Sequence, residues 1–462
     1  MTTTFNPEML LAILPELGLL VLVIVALVLD LVWRDRRCGR LALYTAVGTG
    51  LVMVLSLIFA LPGAEPQLIF GGMLRLDAAA FVFRMLFLSG ALLTSLLVMG
   101  DEALCVRGEF FVLLLVSTLG MSLMAGAADV MMLFLAIETA SIPLYVLAGF
   151  YTSSARSVEA GIKYLLFGGL TSAVMLYGFS LLYGLSGTTR LYGMLERLQE
   201  QPGALLPALF AVILVLAGFG FKISAVPFHF WAPDVYEGSP TQVAGFLSTA
   251  SKAAGFVVLL RVMTVLFPQA GPVWTVAIVV LALASMLAGN LLALAQKNVK
   301  RLLAYSSIAQ AGYMLVGVAA DSQLGTSGVV YYLMGYLVTN LAAFGVVHVV
   351  GQSLGSNDLS AYDGLSRRSP RLALLMLMAL LSLGGVPPFA GFFGKLLVFG
   401  AAVEAGLWWL AMVGVLTSVL ALYYYLNLLR RIYQEPMTHG QKLHISWPRS
   451  EEHTSELQSP NT

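Results

Sequence analysis

The chain has 462 residues, 59% hydrophobic and only 11% charged, and its 25 Lys and Arg against 24 Asp and Glu leave a formal charge of +1. Soluble domains carry about twice that share of charge, so too few polar side chains exist to cover a globular surface in water. The absence of basic runs excludes nucleic acid as a partner, and two cysteines, Cys38 and Cys105, are too few for a disulfide framework or a cysteine-held cluster.

Apolar runs of about 20 residues recur between short polar breaks, so the solvent must be lipid and the chain an all-α polytopic membrane protein. Thirteen spans are expected, at roughly 9–32, 41–61, 78–100, 109–126, 129–150, 161–184, 205–231, 241–266, 272–295, 301–320, 326–351, 371–399 and 402–430. The first run follows an N-terminus without Lys or Arg and reaches span length, which reads as a membrane helix and not a cleaved leader. Residues 190–200 alternate apolar and charged side chains too closely to span and read as a surface amphipathic helix. Residues 449–462 turn abruptly polar and resemble a translated sequencing adapter, so a non-native tail is expected there and a single transmembrane domain over 1–448.

Cations alternate between loops. Fifteen follow spans 1, 3, 5, 9, 11 and 13 (Arg34, Arg36, Arg37, Arg40, Arg107, Arg156, Lys297, Lys300, Arg301, Arg367, Arg368, Arg371, Arg430, Arg431 and Lys442), against three on the other side, Arg75, Arg190 and Arg197. That asymmetry places the N-terminus outside and the region after 430 inside, and it supports the span count, because one helix too many would scramble it.

Six cations remain within or at the edges of spans: Arg84, Lys163, Lys222, Lys252, Arg261 and Lys395. Each charge near mid-membrane costs about 2.5–3.5 kcal/mol, so a retained one implies partners and a role. In chain order, Glu16 in the first span reads as a helix-end carboxylate near the outer surface, the alternative being a face toward a neighbouring subunit, and Arg84 sits early in its span with Asp77 as an expected partner. Glu138 lies mid-span with no base one turn away on its own helix, and Lys222 is the natural counter-charge, the alternative being a protonated, hydrogen-bonded carboxyl. Lys163 is near enough to the inner end of its span to snorkel or to serve in transfer. Lys222 stands in Gly218-Phe-Gly-Phe-Lys-Ile-Ser-Ala-Val-Pro-Phe-His-Phe-Trp-Ala-Pro-Asp234, where Pro227 must break the helix and free carbonyls, suggesting a hydrated cavity. His229 follows that break, as a proton carrier or a packing residue. Lys252, in Ser248-Thr-Ala-Ser-Lys-Ala-Ala-Gly255, sits among small residues that leave room for a relay. Arg261 is long enough to snorkel, and His348 reads as structural. Gly384-Gly-Val-Pro-Pro-Phe-Ala-Gly-Phe-Phe-Gly-Lys395 repeats the device of a broken span with one lysine. Two such spans with four helices between them are the pattern of two five-helix repeats, each forming a half-channel.

No dinucleotide fingerprint, phosphate loop, CxxC, spaced histidine pair or nucleophile elbow is present, so no segment offers to hold a nucleotide, haem, iron–sulfur cluster or metal. Only proton-exchanging groups remain.

Ala232-Pro-Asp-Val-Tyr-Glu-Gly-Ser-Pro-Thr-Gln-Val-Ala-Gly-Phe-Leu-Ser-Thr-Ala-Ser-Lys-Ala-Ala-Gly-Phe256, Lys300-Arg-Leu-Leu-Ala-Tyr-Ser-Ser-Ile-Ala-Gln-Ala-Gly-Tyr313 and Gly385-Val-Pro-Pro-Phe-Ala-Gly-Phe-Phe-Gly-Lys395 together resemble the subunit N family of bacterial proton-translocating NADH:quinone oxidoreductase, respiratory complex I. The second and third motifs occur across antiporter-like proteins, including multisubunit cation/proton antiporters, and Ser-Lys-Ala-Ala at 251–254 points to subunit N. The resemblance implies fourteen helices, with helices 4–8 (about 109–266) and 9–13 (about 272–430) as inverted repeats. It implies that Glu138 and Lys222 form the input gating pair, Lys252 the central relay and Lys395 the terminal lysine, with His229 as a bridge. It implies other membrane-arm subunits as partners, NADH, FMN, iron–sulfur clusters and quinone held by partner subunits and none here, and a bacterial inner membrane location. Gln310 stands where many members have histidine, and the fourteenth helix does not appear in the sequence.

Overall fold

The computed structural model describes residues 8–32, 39–63, 65–200, 203, 205–266 and 271–436. The expected tail at 449–462, with Cys38 and several cations of the first loop, lies outside them.

Among the described residues twelve helices are long and apolar enough to cross a membrane. The chain is a multi-pass membrane protein. In chain order these are α1 (Leu14–Val32), α2 (Arg40–Phe59), α3 (Ala78–Val98), α4 (Gly108–Gly126), α5 (Val130–Ala148), α6 (Ala155–Ser186), α7 (Leu205–Ile223), α8 (Thr241–Leu266), α9 (Gly271–Leu294), α10 (Val299–Ala319), α11 (Gln323–Leu354) and, last of them, α13 (Trp408–Tyr433). The remaining expected span, α12, is divided into Pro370–Gly384 and Ala390–Glu404, so all thirteen places are filled. α7 is likewise broken and resumes at Trp231–Gly238. The surface helix Leu191–Gln199 turns Leu191, Met194 and Leu198 inward and its charges outward. A short antiparallel hairpin, Gln67–Ile69 with Leu74–Leu76, was not expected, because three-residue strands around Gly71-Gly72 leave little periodic signal.

Local chemistry sets the helix ends. Asp77, Asp129, Asn298 and Ser322 cap α3, α5, α10 and α11 by accepting first-turn amide protons, at 2.8 Å for Asp77 to the Ala80 N–H. Gly187, Gly355 and Gly385 end α6, α11 and the first half of α12 at φ near +67°, +65° and +81°, a conformation that disfavours a Cβ. Cys105 is buried at the end of the short helix Glu102–Cys105.

α8 and α10 are the most enclosed spans, while α1 and α6 have the smallest share of buried residues. α10 packs on α9, α11, the second half of α12 and the resumed half of α7. α8 packs on α3, α4, α7 and α11, so these two helices carry the joint between the 109–266 and 272–430 stretches.

Three charged residues are placed differently from their expectation. Arg84 does not meet Asp77; its Nε and Nη2 donate to Glu16 Oε1 at 2.9 Å, joined by the Ser122 hydroxyl at 2.6 Å. Glu16, expected at a helix end near the surface, is buried in that pair. Arg261 does not snorkel but holds both Asp77 oxygens, at 2.9 and 3.0 Å, and donates to the Tyr192 hydroxyl at 3.0 Å. The reason is the same each time: a carboxylate 68 or 184 residues away offers a bidentate or hydrogen-bonded partner that local spacing cannot reveal.

Candidate functional site

The site is a line of buried lysines, each beside an interruption in helical geometry. Lys222 is the penultimate residue of α7 before the break, and Ser224, at φ +58°, begins the turn. Two polar side chains use the freed backbone: Trp231 Nε1 donates to the Phe221 carbonyl at 3.2 Å, and the Val226 N–H donates to Ser285 Oγ at 2.9 Å. Lys222 is buried and its Nζ donates to Ser141 Oγ. Glu138 lies one turn before Ser141 on α5 and accepts from the Ser172 hydroxyl of α6 at 2.7 Å. The carboxylate and the ammonium are therefore neighbours within electrostatic reach but not a direct ion pair, and the Ser141 hydroxyl that accepts from Lys222 donates to the Ile137 carbonyl of its own helix.

Lys252 follows a turn of π-helix, Leu247–Ser251, inside α8. Such turns widen the backbone and recur at functional positions. The lysine is fully buried and donates to Ser307 of α10, at 2.7 Å to its carbonyl and also to its hydroxyl. Gly255, one turn along α8, lies against Lys222: a Cβ built there would stand 3.0 Å from the Lys222 Cβ. That close approach packs α8 against the end of α7, with no hydrogen bond between Lys222 and Lys252.

From Lys252 onward the hydrogen bonds continue. Ser306, next to Ser307, shares a bond with the Tyr425 hydroxyl of α13. Gln310 Nε2 donates to that hydroxyl at 3.3 Å and to the Leu383 carbonyl at 3.0 Å, while its Oε1 accepts from Tyr332. The Leu383 carbonyl also accepts from Lys395 Nζ at 3.1 Å. Lys395 reaches back from the second half of α12 to the end of the first, donating to the Gly384 carbonyl at 3.1 Å and to the Ser418 hydroxyl, with its ammonium 4.7 Å from the centre of the Tyr313 ring. The break thus supplies carbonyls that hold a cation at membrane depth.

His229 is buried after the α7 break with its ring 4.5 Å from that of Phe230 and its Nδ1 without a hydrogen-bond partner. No hydrogen bond links it to Lys222 or Lys252. Lys163, which could snorkel or serve in transfer, is half-exposed at the cation-rich face, 2.7 Å from both Glu159 and Asp234. Arg301 of α10 meets the same Asp234 at 2.7 Å and Glu237 at 2.9 Å.

Sequence reasoning missed Lys300. It was counted with the loops, yet it is buried and donates to the carbonyls of Glu237 at 2.9 Å and Ser239 at 2.6 Å, where the resumed half of α7 ends. The same reasoning reads His348 as structural and names no partner for it. Gln242 Nε2 stands 3.2 Å from its Nδ1 and donates to Asp101 at 3.0 Å, and the Tyr151 hydroxyl donates to the same carboxylate at 2.9 Å.

Residues 127–421 match the family model described as NADH:quinone oxidoreductase/Mrp antiporter, TM. The chain belongs to this family. Relatives include NADH-quinone oxidoreductase subunit N of Chlorobium chlorochromatii, 42% identical with 94% of this chain and 88% of the relative covered. The chloroplastic NAD(P)H-quinone oxidoreductase subunit 2 of Mesostigma viride is 43% identical over 91% and 84%. Among solved structures, a chain of respiratory complex I from Thermus thermophilus with bound aureothin is 37% identical, covers 92% of this chain and 90% of its own, and superposes with a TM-score of 0.76. A chain of the Mrp complex from Dietzia sp. is 26% identical over 94% and 82%, with a TM-score of 0.78. The family match begins in the turn before α5 and ends within α13, so it contains Glu138 and the buried lysines Lys222, Lys252, Lys300 and Lys395.

Proposed function

We propose that the chain is a proton-translocating membrane-arm subunit of an NADH:quinone oxidoreductase, passing protons along Glu138, Lys222, Lys252 and Lys395 while electrons move in partner subunits. The observation that carries this reading is the polar string from Lys252 to Lys395: Lys252 bonds to Ser307, the adjacent Ser306 bonds to Tyr425, and hydrogen bonds continue through Gln310 and the Leu383 carbonyl to Lys395. Lysine suits the task. Burial disfavours its charged form and a nearby carboxylate favours it, so a small movement of Glu138 relative to Lys222 changes the proton affinity of the pair.

On this reading α4–α8 and α9–α13 are inverted repeats. Both contain a helix of 32 residues, α6 and α11, followed by a broken helix with a lysine. Lys163 serves the inner mouth, and His229 is a reserve carrier beside the first break. NADH, FMN, iron–sulfur clusters and quinone belong to the partner subunits, the neighbours are other membrane-arm subunits, and the chain sits in a bacterial inner membrane with its N-terminus outside. The likeness to the Mrp chain supports a rival reading as a cation/proton antiporter subunit. NADH-driven proton uptake by liposomes containing the purified complex separates them. With Lys252→Met in an assembled complex, protons moved per NADH should fall; cation-gradient-driven proton movement that is indifferent to NADH would favour the rival.

A further inference from the structure

The resumed half of α7 runs antiparallel along the start of α6. Gly238 lies against Arg156 and Ala160, Asp234 pairs with Lys163, and Trp231 stacks on Tyr164. These three levels lead inward from the cation-rich face. At the outermost two there is a cavity of about 220 Å³ lined by Arg156, Glu159, Lys163, Asp234, Glu237 and Arg301. At the third the polar lining stops. Tyr164 and Trp231 are parallel, with centroids 4.4 Å apart; Phe221 lies 5.1 Å from Trp231 and 5.7 Å from Tyr164, and Tyr145 meets Tyr164 edge-on at 4.8 Å. All four rings are buried. Behind them is Lys222, its Nζ 5.8 Å from the centres of both Tyr145 and Phe221.

The rings are mounted on both sides of the break. Phe221 precedes it and Trp231 follows it, tied by the Trp231 Nε1 bond to the Phe221 carbonyl. Asp234, one turn after Trp231, is held by Lys163 and Arg301, and Lys300 holds the carbonyls at the end of the same short helix. A packed aromatic layer admits no water file, and a constriction of this kind gates by excluding water. Displacing the short helix would part Trp231 from Phe221 and Tyr164 together.

We propose that Tyr164, Phe221 and Trp231 form the gate between the inner charged cavity and Lys222, and that the Lys163–Asp234–Arg301 ion pairs are its latch. This rests on the reading of Lys222 as a proton carrier. The rings are positioning residues: they exchange no proton themselves and decide when Lys222 meets water from the cavity side.

The test uses the whole complex in liposomes, with assembly checked by native gel. The first readout is labelling of a Lys222→Cys variant by a small cationic methanethiosulfonate, followed by mass spectrometry of the peptide, with and without Trp231→Ala. Opening the layer should raise the labelling rate by about ten-fold or more, while Trp231→Phe, which keeps a ring, should leave it near its starting value. In complexes retaining Lys222, Trp231→Ala should also speed the collapse of an imposed pH gradient without NADH. Unchanged labelling and unchanged leak in assembled Trp231→Ala complex would overturn the gate. Should that variant fail to assemble, Asp234→Asn leaves the rings in place and loosens only the latch; it should raise labelling about two- to three-fold, and no rise would count equally against the proposal. Labelling is independent of pumping. A rise in labelling with normal pumping by Lys222→Met would retain the access gate and remove the proton-carrier reading, whereas lost pumping by Lys222→Met with no change in labelling would do the reverse.

Discussion

Lys222 and Lys395 occupy the same device, a helix broken by Gly and Pro, yet they are held differently. Lys222 is bonded by a side chain of a neighbouring helix, Ser141, with the Glu138 carboxylate one turn away. Lys395 is bonded by two backbone carbonyls of its own broken helix and by Ser418, all neutral, over the Tyr313 ring. A carboxylate on another helix can move, and moving it changes how firmly a lysine keeps its proton. Carbonyl dipoles fixed at a helix end cannot do so without unfolding the break. On the proposed function, the first lysine is the one that can be switched and the second a standing acceptor.

The strongest contrast concerns the breaks. A Cβ at Gly391 would stand 1.8 Å from the Ser382 carbonyl oxygen, a backbone atom with nowhere to go, whereas one at Gly220 would meet only the Phe228 ring, at 2.5 Å. Gly391→Ala should therefore largely abolish assembled subunit on a native gel, and Gly220→Ala should reduce it by less; overpacking costs about 1–3 kcal/mol where neighbours can adjust and more where they cannot. Equal yields would show that the two breaks are equally rigid.

The hydroxyls come next. Ser141→Ala removes the group that holds Lys222, and a hydrogen bond to a charged group is worth about 1.5–3 kcal/mol, so protons pumped per NADH should fall steeply. Ser418→Ala leaves Lys395 on two carbonyls, and the fall should be about two- to three-fold at most. The reverse order would break the distinction. Glu138→Gln should lower pumping with NADH oxidation retained, and Glu138→Asp should restore part of it; no rescue would mean that the charge at 138 does not set the affinity of Lys222.

The smallest expected effect is a control at the start of α3. Burial pushes the Asp77 carboxyl up, but Arg261, the Ala80 N–H and Arg75 outweigh it and hold it below its ordinary value. A depressed carboxylate contributes stability above its unfolded pKa, about 3.9, and loses it as pH falls through the folded value. Asp77→Asn should accordingly lower the Tm of the complex by the same amount at pH 7 and pH 5, with the difference shrinking only below about pH 4. A difference that changes between pH 7 and 5 would mean the ion pair titrates with the pump.

Much of this was legible from residue order. The spans, the breaks after Ile223 and Gly384 and the lysines beside them all follow from hydropathy and from the backbone chemistry of Pro and Gly. Pairing across helices was not. Arg84 was matched to Asp77 seven residues away because local spacing was the only guide, while its partner Glu16 lies on α1. The π turn before Lys252 left no mark in Leu-Ser-Thr-Ala-Ser, and Lys300 looked like a loop cation because its carbonyl partners belong to a helix resumed after a break. The bridge from Ser306 to Lys395 depends on which side of α10 faces α12 and α13, a matter of packing and not of pattern.

The most direct measurement is protons pumped per NADH oxidised by the reconstituted whole complex carrying Lys222→Met, with assembly verified on a native gel. The account predicts a fully assembled complex whose pumping or coupled turnover is lost. Unchanged pumping and unchanged turnover would contradict it and remove the Glu138 and Lys222 pair from the proton path.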